Sequence, residues 1–275
     1  MTATTVPLPA EAGVGSARRE ALGYAVSDAL AVTWRNLLTY VRLPQLLVFS
    51  TIQPIMFVLL FRYVFGDSIR LGNPSIDYVN YLMPGIFVQT VVFGAMATGI
   101  GLAEDLSKGL IERFRSLPTA RSAVLAGRTL ADAVRNLFVV VLMTVVGFLV
   151  GFRPDGGVLD FLAAIVLVLA FGYALSWLMA TIGLGARNAE SAQAAIFPVL
   201  FPLTFASSAF VDTDLMPGWL QAFADHQPVS ATVDAARALV LGQPVGWSAA
   251  ASIAWSLGIV AVFGTLAVRR YRRAA

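Results

Sequence analysis

Residues 81–117 read YLMPGIFVQTVVFGAMATGIGLAEDLSKGLIERFRSL. The first part, 81–103, carries no charged side chain. As a helix rising about 1.5 Å per residue, it is long enough to cross a hydrocarbon layer about 30 Å thick. The second part, 104–117, turns abruptly charged, yet Leu106, Leu110, Phe114 and Leu117 keep one apolar stripe at helical spacing. A span followed by an amphipathic helix sets the fold class: an all-α, polytopic integral membrane protein.

Working outward from this stretch, five further apolar runs qualify as spans: 45–65, 136–152, 158–184, 194–211 and 248–268. The run 158–184 has length to spare for tilt. Pro198 and Pro202 weaken the run 194–211. They leave open a re-entrant element of two half-helices, tolerated only where protein or water covers the freed backbone. The expected organisation is a disordered cytoplasmic tail over 1–26, one six-span domain over 27–270, and a short basic tail over 271–275.

Composition agrees with this reading. Of 275 residues, 58% are hydrophobic and only 13% charged, too few charges to coat a soluble domain of that size. There is no cysteine and a single histidine, His226, which excludes a disulfide framework and a multi-histidine metal site. No nucleic-acid partner is expected. Arginine placement sets the orientation. With six spans, 15 of the 19 basic residues fall on the side holding both termini and the segments 104–135 and 185–193. Both termini are therefore expected in the cytoplasm.

Two segments outside the spans stand out. Over 27–43, Leu30, Trp34, Leu37, Leu38 and Val41 form an apolar face, with Arg35 and Arg42 elsewhere on the helix. Such a helix suits the inner membrane interface, a protein surface, or both. In the outer segment 212–247, Met216, Trp219, Leu220 and Phe223 make one apolar face, and Val229, Val233, Ala236 and Val240 another. Gly242 ends the second, and Asp234 and Arg237 are placed to pair one turn apart.

The helix 104–117 has Glu104 and Asp105 at its expected start and Arg113 and Arg115 near its end, matching the helix dipole. Pro118 stops it. It reads either as an amphipathic cover on a solvated loop or as a docking surface for a cytoplasmic partner. Within the spans, Gln53, Gln89 and Thr90 want partners, and face other helices or a central cavity. Arg62 lies near the outer face, where it reaches headgroups or pairs with Asp67 or Asp77.

Chemistry of its own is missing from the sequence. The one lysine, Lys108, stands in Ser-Lys-Gly, so no Gly-Lys-Ser/Thr phosphate loop exists. There is no G-x-S-x-G motif. A passive channel, a subunit driven by another protein, and a membrane scaffold all remain open on the residues alone.

Four blocks in a fixed order narrow these: YLMPGIFVQ (81–89), EDLSKGLIERFRSLPTARSAVLAGR (104–128), GFRP (151–154) and MPGWLQAFADHQPVSATVDAARALVLG (216–242). With them the chain resembles the membrane subunit of type-2 ABC exporters, in the branch of daunorubicin/doxorubicin-resistance permeases. The resemblance runs from about residue 34 to 270. It implies a pair of such subunits, as a homodimer or with a sister permease, above two copies of a separate ATPase that binds ATP and Mg. This chain would bind no cofactor itself. The resemblance places the coupling helix at 104–117, with Glu104, Asp105, Lys108, Gly109, Glu112, Arg113, Phe114, Arg115 and Pro118 forming or shaping the ATPase contact. It makes 27–43, with Trp34, Arg35 and Arg42, the interfacial connecting helix, and 216–242 the outer re-entrant helices. It implies export of a hydrophobic or amphiphilic drug, antibiotic or lipid across a bacterial cytoplasmic membrane. Gln53, Gln89 and Thr90 are the candidates for lining the path.

Overall fold

The computed structural model describes residues 14–42, 44–66, 76–109 and 121–274. These are helical almost throughout. In chain order they form α1 (Val14–Arg42), α2 (Pro44–Leu59), α3 (Tyr78–Ser107), α4 (Arg121–Leu149), α5 (Val158–Gly183), α6 (Ala189–Phe205), α7 (Gly218–His226), α8 (Pro228–Val240), α9 (Ser248–Ile259) and α10 (Thr265–Ala274). A widened π turn extends α2 over Leu60–Phe65, and another joins α9 to α10 over Val260–Gly264.

The organising element is α3. From Tyr78 to Val92 nearly every side chain is buried, because α2, α4, α5, α6 and α8 all pack against this helix. Its small residues explain the close approach. A Cβ added to Gly183 of α5 would lie 2.1 Å from the Gly99 carbonyl oxygen, and one added to Gly99 would lie 2.6 Å from the Met179 carbonyl oxygen. The two backbones therefore touch, as small residues permit in membrane helices. Asp77 opens α3 by accepting from the Val79 amide at 3.1 Å.

Among the described residues, four helical stretches are long and apolar enough to cross a membrane: Tyr78–Ser107, Leu125–Leu149, Val158–Gly183 and Ser248–Tyr271. The stretch Ser50–Phe65 is shorter, and α6 has 17 residues, about 25 Å at 1.5 Å each. Length and apolarity alone thus account for four of the six expected spans.

The structure corrects several expectations. The helix α1 begins at Val14, so residues 14–26 are not an irregular tail. The run Ala17–Leu22 is built of good helix formers, which carries the helix upstream of the apolar stripe. The third apolar run continues a helix that starts by Arg121, as expected of a fresh helix after Pro118 leading into that span. The fifth run is one continuous helix from Ala189 to Phe205, not two halves. Its prolines sit four residues apart on the exposed side, while Ala192, Ile196, Leu200 and Thr204 form the buried side. The Asn188 side chain caps its start, accepting from the Ser191 amide at 2.8 Å. The Gln227 amide nitrogen caps its end, donating to the carbonyls of Leu203 at 2.8 Å and Ala206 at 3.1 Å.

Glu104 and Asp105 do not begin a separate helix. They lie in the last turn of α3, which ends at Ser107 and is followed by Gly109 at φ +66°. That is the end where the helix dipole disfavours acids. Lys108 pairs with Glu104 and Arg128 with Asp105, offsetting the mismatch. Glu112, Arg113, Phe114, Arg115 and Pro118 lie outside the described residues.

On the opposite end, α7 and α8 form as expected. Val229, Val233, Ala236 and Val240 are buried against the bundle, whereas Trp219 and Phe223 of α7 face outward. Gly242, at φ +63°, follows the end of α8. Arg62 lies 3.6 Å from Asp77, the expected pairing.

Candidate functional site

The three polar candidates of the spans come together. Gln53 of α2 and Gln89 and Thr90 of α3 line one cleft of ≈ 130 Å³, closed on its third side by Arg135, Asn136 and Val139 of α4. Gln53 is exposed at its mouth. The Thr90 hydroxyl donates to the Ile86 carbonyl at 2.7 Å, inside its own helix. Gln89 is 2% exposed, and neither its Oε1 nor its Nε2 has a hydrogen-bond partner. A buried amide in that state is rare and calls for a cause.

Beside this cleft lies a buried polar network that sequence reasoning missed. Asp132 and Arg135 are 3% and 6% exposed. The carboxylate of Asp132 accepts from the Tyr40 hydroxyl at 2.9 Å and from the Thr98 hydroxyl, and its Oδ1 lies 3.6 Å from Arg135 Nη1. Arg135 also donates to the Gly94 carbonyl and, at 3.1 Å, to Asn136 Oδ1. Gly94 must lack a side chain here, since a Cβ would lie 2.2 Å from Asn136 Oδ1. Burial, and then the charge of Asp132, push the Tyr40 phenol up to about 12, so it remains a donor. These bonds lock α1, α3 and α4 together. The signal was present as Asp132 and Arg135 one turn apart on a helix, but their partners come from α1 and α3.

Next to the network, a polar cleft of ≈ 550 Å³ is lined by Asn36 and Tyr40 of α1, Glu104, Asp105 and Lys108 at the end of α3, and Arg128 and Asp132 of α4. It joins the expected interfacial helix to the start of the expected coupling segment. The helix α1 takes the protein-surface setting along one side. Thr33 reaches the Gly127 carbonyl of α4 at 3.0 Å, while Trp34, Arg35, Val41 and Arg42 stay exposed.

At the other end of α3, Arg237 of α8 is buried. It stacks 3.7 Å from the Tyr81 ring centre and donates to the carbonyls of Tyr81 at 3.1 Å and Ser208 at 2.6 Å. Its pairing with Asp234, at 3.1 Å, was the part legible beforehand.

The profile of the ABC-2 type transporter family matches residues 28–241. The chain belongs to that family. The match takes in α1, the end of α3, the cleft and α8, so the sites described above all fall within the family's domain. Among similar proteins, the daunorubicin resistance ABC transporter permease protein DrrB1 of Streptomyces coeruleorubidus is 37% identical over 94% of this chain and 91% of its own length. The probable doxorubicin resistance ABC transporter permease protein DrrC of Mycobacterium tuberculosis is 27% identical over 91% of this chain and 90% of its own length. The putative transport permease ycf38 of Porphyra purpurea is 26% identical over 77% of this chain and 73% of its own length.

Proposed function

We propose that this chain is the membrane-spanning permease of an ATP-driven exporter in a bacterial cytoplasmic membrane. It moves a hydrophobic or amphiphilic molecule outward, a drug, an antibiotic or a lipid. A separate ATPase in two copies supplies ATP and Mg chemistry, and a second permease completes the path, either another copy of this chain or a sister chain. The observation carrying this reading is the family match over 28–241, which includes the whole segment 104–128, in a chain without a phosphate-binding loop.

In this reading α2 with its π turn and α6 are the two further spans, giving six with both termini inside. The arginine distribution supports that orientation. ATP-driven closure of the ATPase pair pushes on the segment around Glu104–Pro118. Through Asp105–Arg128 the push passes to α4, and through Tyr40–Asp132 to α1. The names of the drug-resistance relatives favour an amphiphilic aromatic drug as the first substrate to try.

The test uses inverted membrane vesicles holding this chain and an ATPase encoded beside it, with daunorubicin fluorescence as the readout. ATP-dependent accumulation that needs both chains is the expected result. Accumulation unaffected by leaving out this chain would count against the permease role.

A further inference from the structure

The cleft between α2, α3 and α4 combines three properties seldom found together. It is small, it is mainly apolar, and it holds one buried amide with no bond to the protein. Phe93, Ala97 and Val139 supply apolar wall, and the volume is ≈ 130 Å³. An apolar protein cavity of about 150 Å³ is known to hold a benzene ring, so this space suits one ring and not a whole polycyclic ligand.

Charge narrows the occupant further. Among the described residues, Arg135 is the only charged one lining the cleft. It is neutralised by Asp132 and spends its guanidinium on Gly94, Asn136 and Tyr40. The cleft therefore offers no uncommitted charge to an ion, and a charged ligand entering it would lose water without gaining a partner. Gln89 instead carries a donor and an acceptor side by side in the cleft wall, both closed off until its side chain turns toward a ligand. As the amide is placed, neither atom has a hydrogen-bond partner.

We propose that this cleft is a binding subsite for the polar end of a neutral amphiphile, one ring bearing an adjacent hydrogen-bond donor and acceptor, such as a carboxamide. The ring lies against Phe93 and Val139. The donor–acceptor pair meets Gln89, and the remainder of the molecule leaves past Gln53 toward the lipid. The subsite lies within a single protomer. What it is for rests on the exporter reading; that it binds rests only on the cleft.

Binding is measured on the full-length protein in lipid nanodiscs, without ATPase or nucleotide. Benzamide, benzoate, benzamidinium and toluene are the probes, read by saturation-transfer NMR against empty nanodiscs. Saturable benzamide binding is expected, with benzoate and benzamidinium weaker. Gln89→Leu should weaken benzamide roughly tenfold, the effect of one lost hydrogen-bonded pair, and leave toluene binding unchanged or tighter. Gln89→Glu, which keeps the size, should weaken benzamide as well, so the result does not hang on one variant folding. Absence of saturable benzamide binding, a merely water-filled cleft, or equal binding of benzamide and toluene would overturn the proposal, as would benzamide binding insensitive to both variants. The two ideas fail separately. Vesicle export without benzamide binding removes the subsite and keeps the exporter, and benzamide binding without ATP-driven export does the reverse.

Discussion

Two buried arginines hold α3, one near its start and one past its middle, and they are built differently. Past the middle, on the side the exporter reading makes inner, Arg135 faces a carboxylate that is itself sealed in, with Asp132 only 3% exposed and bonded from α1 and α3. At the outer end Arg237 relies on an aromatic face and two backbone carbonyls, and the side chain of its acid partner Asp234 is 47% exposed. The inner joint is a closed pair whose hydrogen bonds run to buried groups of the protein. The outer joint keeps one foot in water and can be loosened without stranding a charge. Under the exporter reading proposed above, the closed joint would receive the push and the half-open one would yield.

Several changes would break or sharpen the contrast. The largest effect is expected from Asp132→Ala, which strands a buried guanidinium and should cost about 3–5 kcal/mol, seen as a large drop in the detergent melting temperature. Adding Arg135→Leu to it should recover much of the loss, because two apolar groups replace a broken pair. Arg237→Leu should cost less, about 2 kcal/mol, from the lost stacking on Tyr81 and two unpaired carbonyls. If the outer change proved the more damaging in the same melt, the asymmetry would be reversed. Gly94→Ala forces Asn136 and Arg135 aside and should cost about 1–3 kcal/mol by overpacking. Arg62→Gln removes a loose, partly exposed pair with Asp77 and should shift stability by under about 1 kcal/mol.

The same contrast explains what could be read in the sequence. The uncharged run after Tyr81 and the stripe Val229, Val233, Ala236 and Val240 announced α3 and α8, since burial there rests on apolar side chains at fixed spacing. The pair Asp234 and Arg237 was legible for the same reason, as neighbours on one helix. The inner joint was not. The groups that satisfy Asp132 are Tyr40 and Thr98, which lie 92 and 34 residues away in sequence. Glu104 and Asp105 misled in the opposite sense. Acids suit a helix start, but here they close α3, where Lys108 and Arg128 compensate them. Gln53, Gln89 and Thr90 were correctly singled out as polar residues in spans. That they share one cleft, and that Gln89 stands there unbonded, is a property of the packing alone.

The central claim is that this chain is driven from its inner end by a separate ATPase. It is tested most directly by ATP hydrolysis in nanodiscs containing the permease and the ATPase encoded beside it, comparing the natural chain with the Arg113→Glu and Arg115→Glu double variant. The expected result is a stable complex whose hydrolysis depends on the permease, with association and stimulation both lost in the variant. A variant that binds the ATPase and stimulates it as well as the natural chain does would contradict the claim.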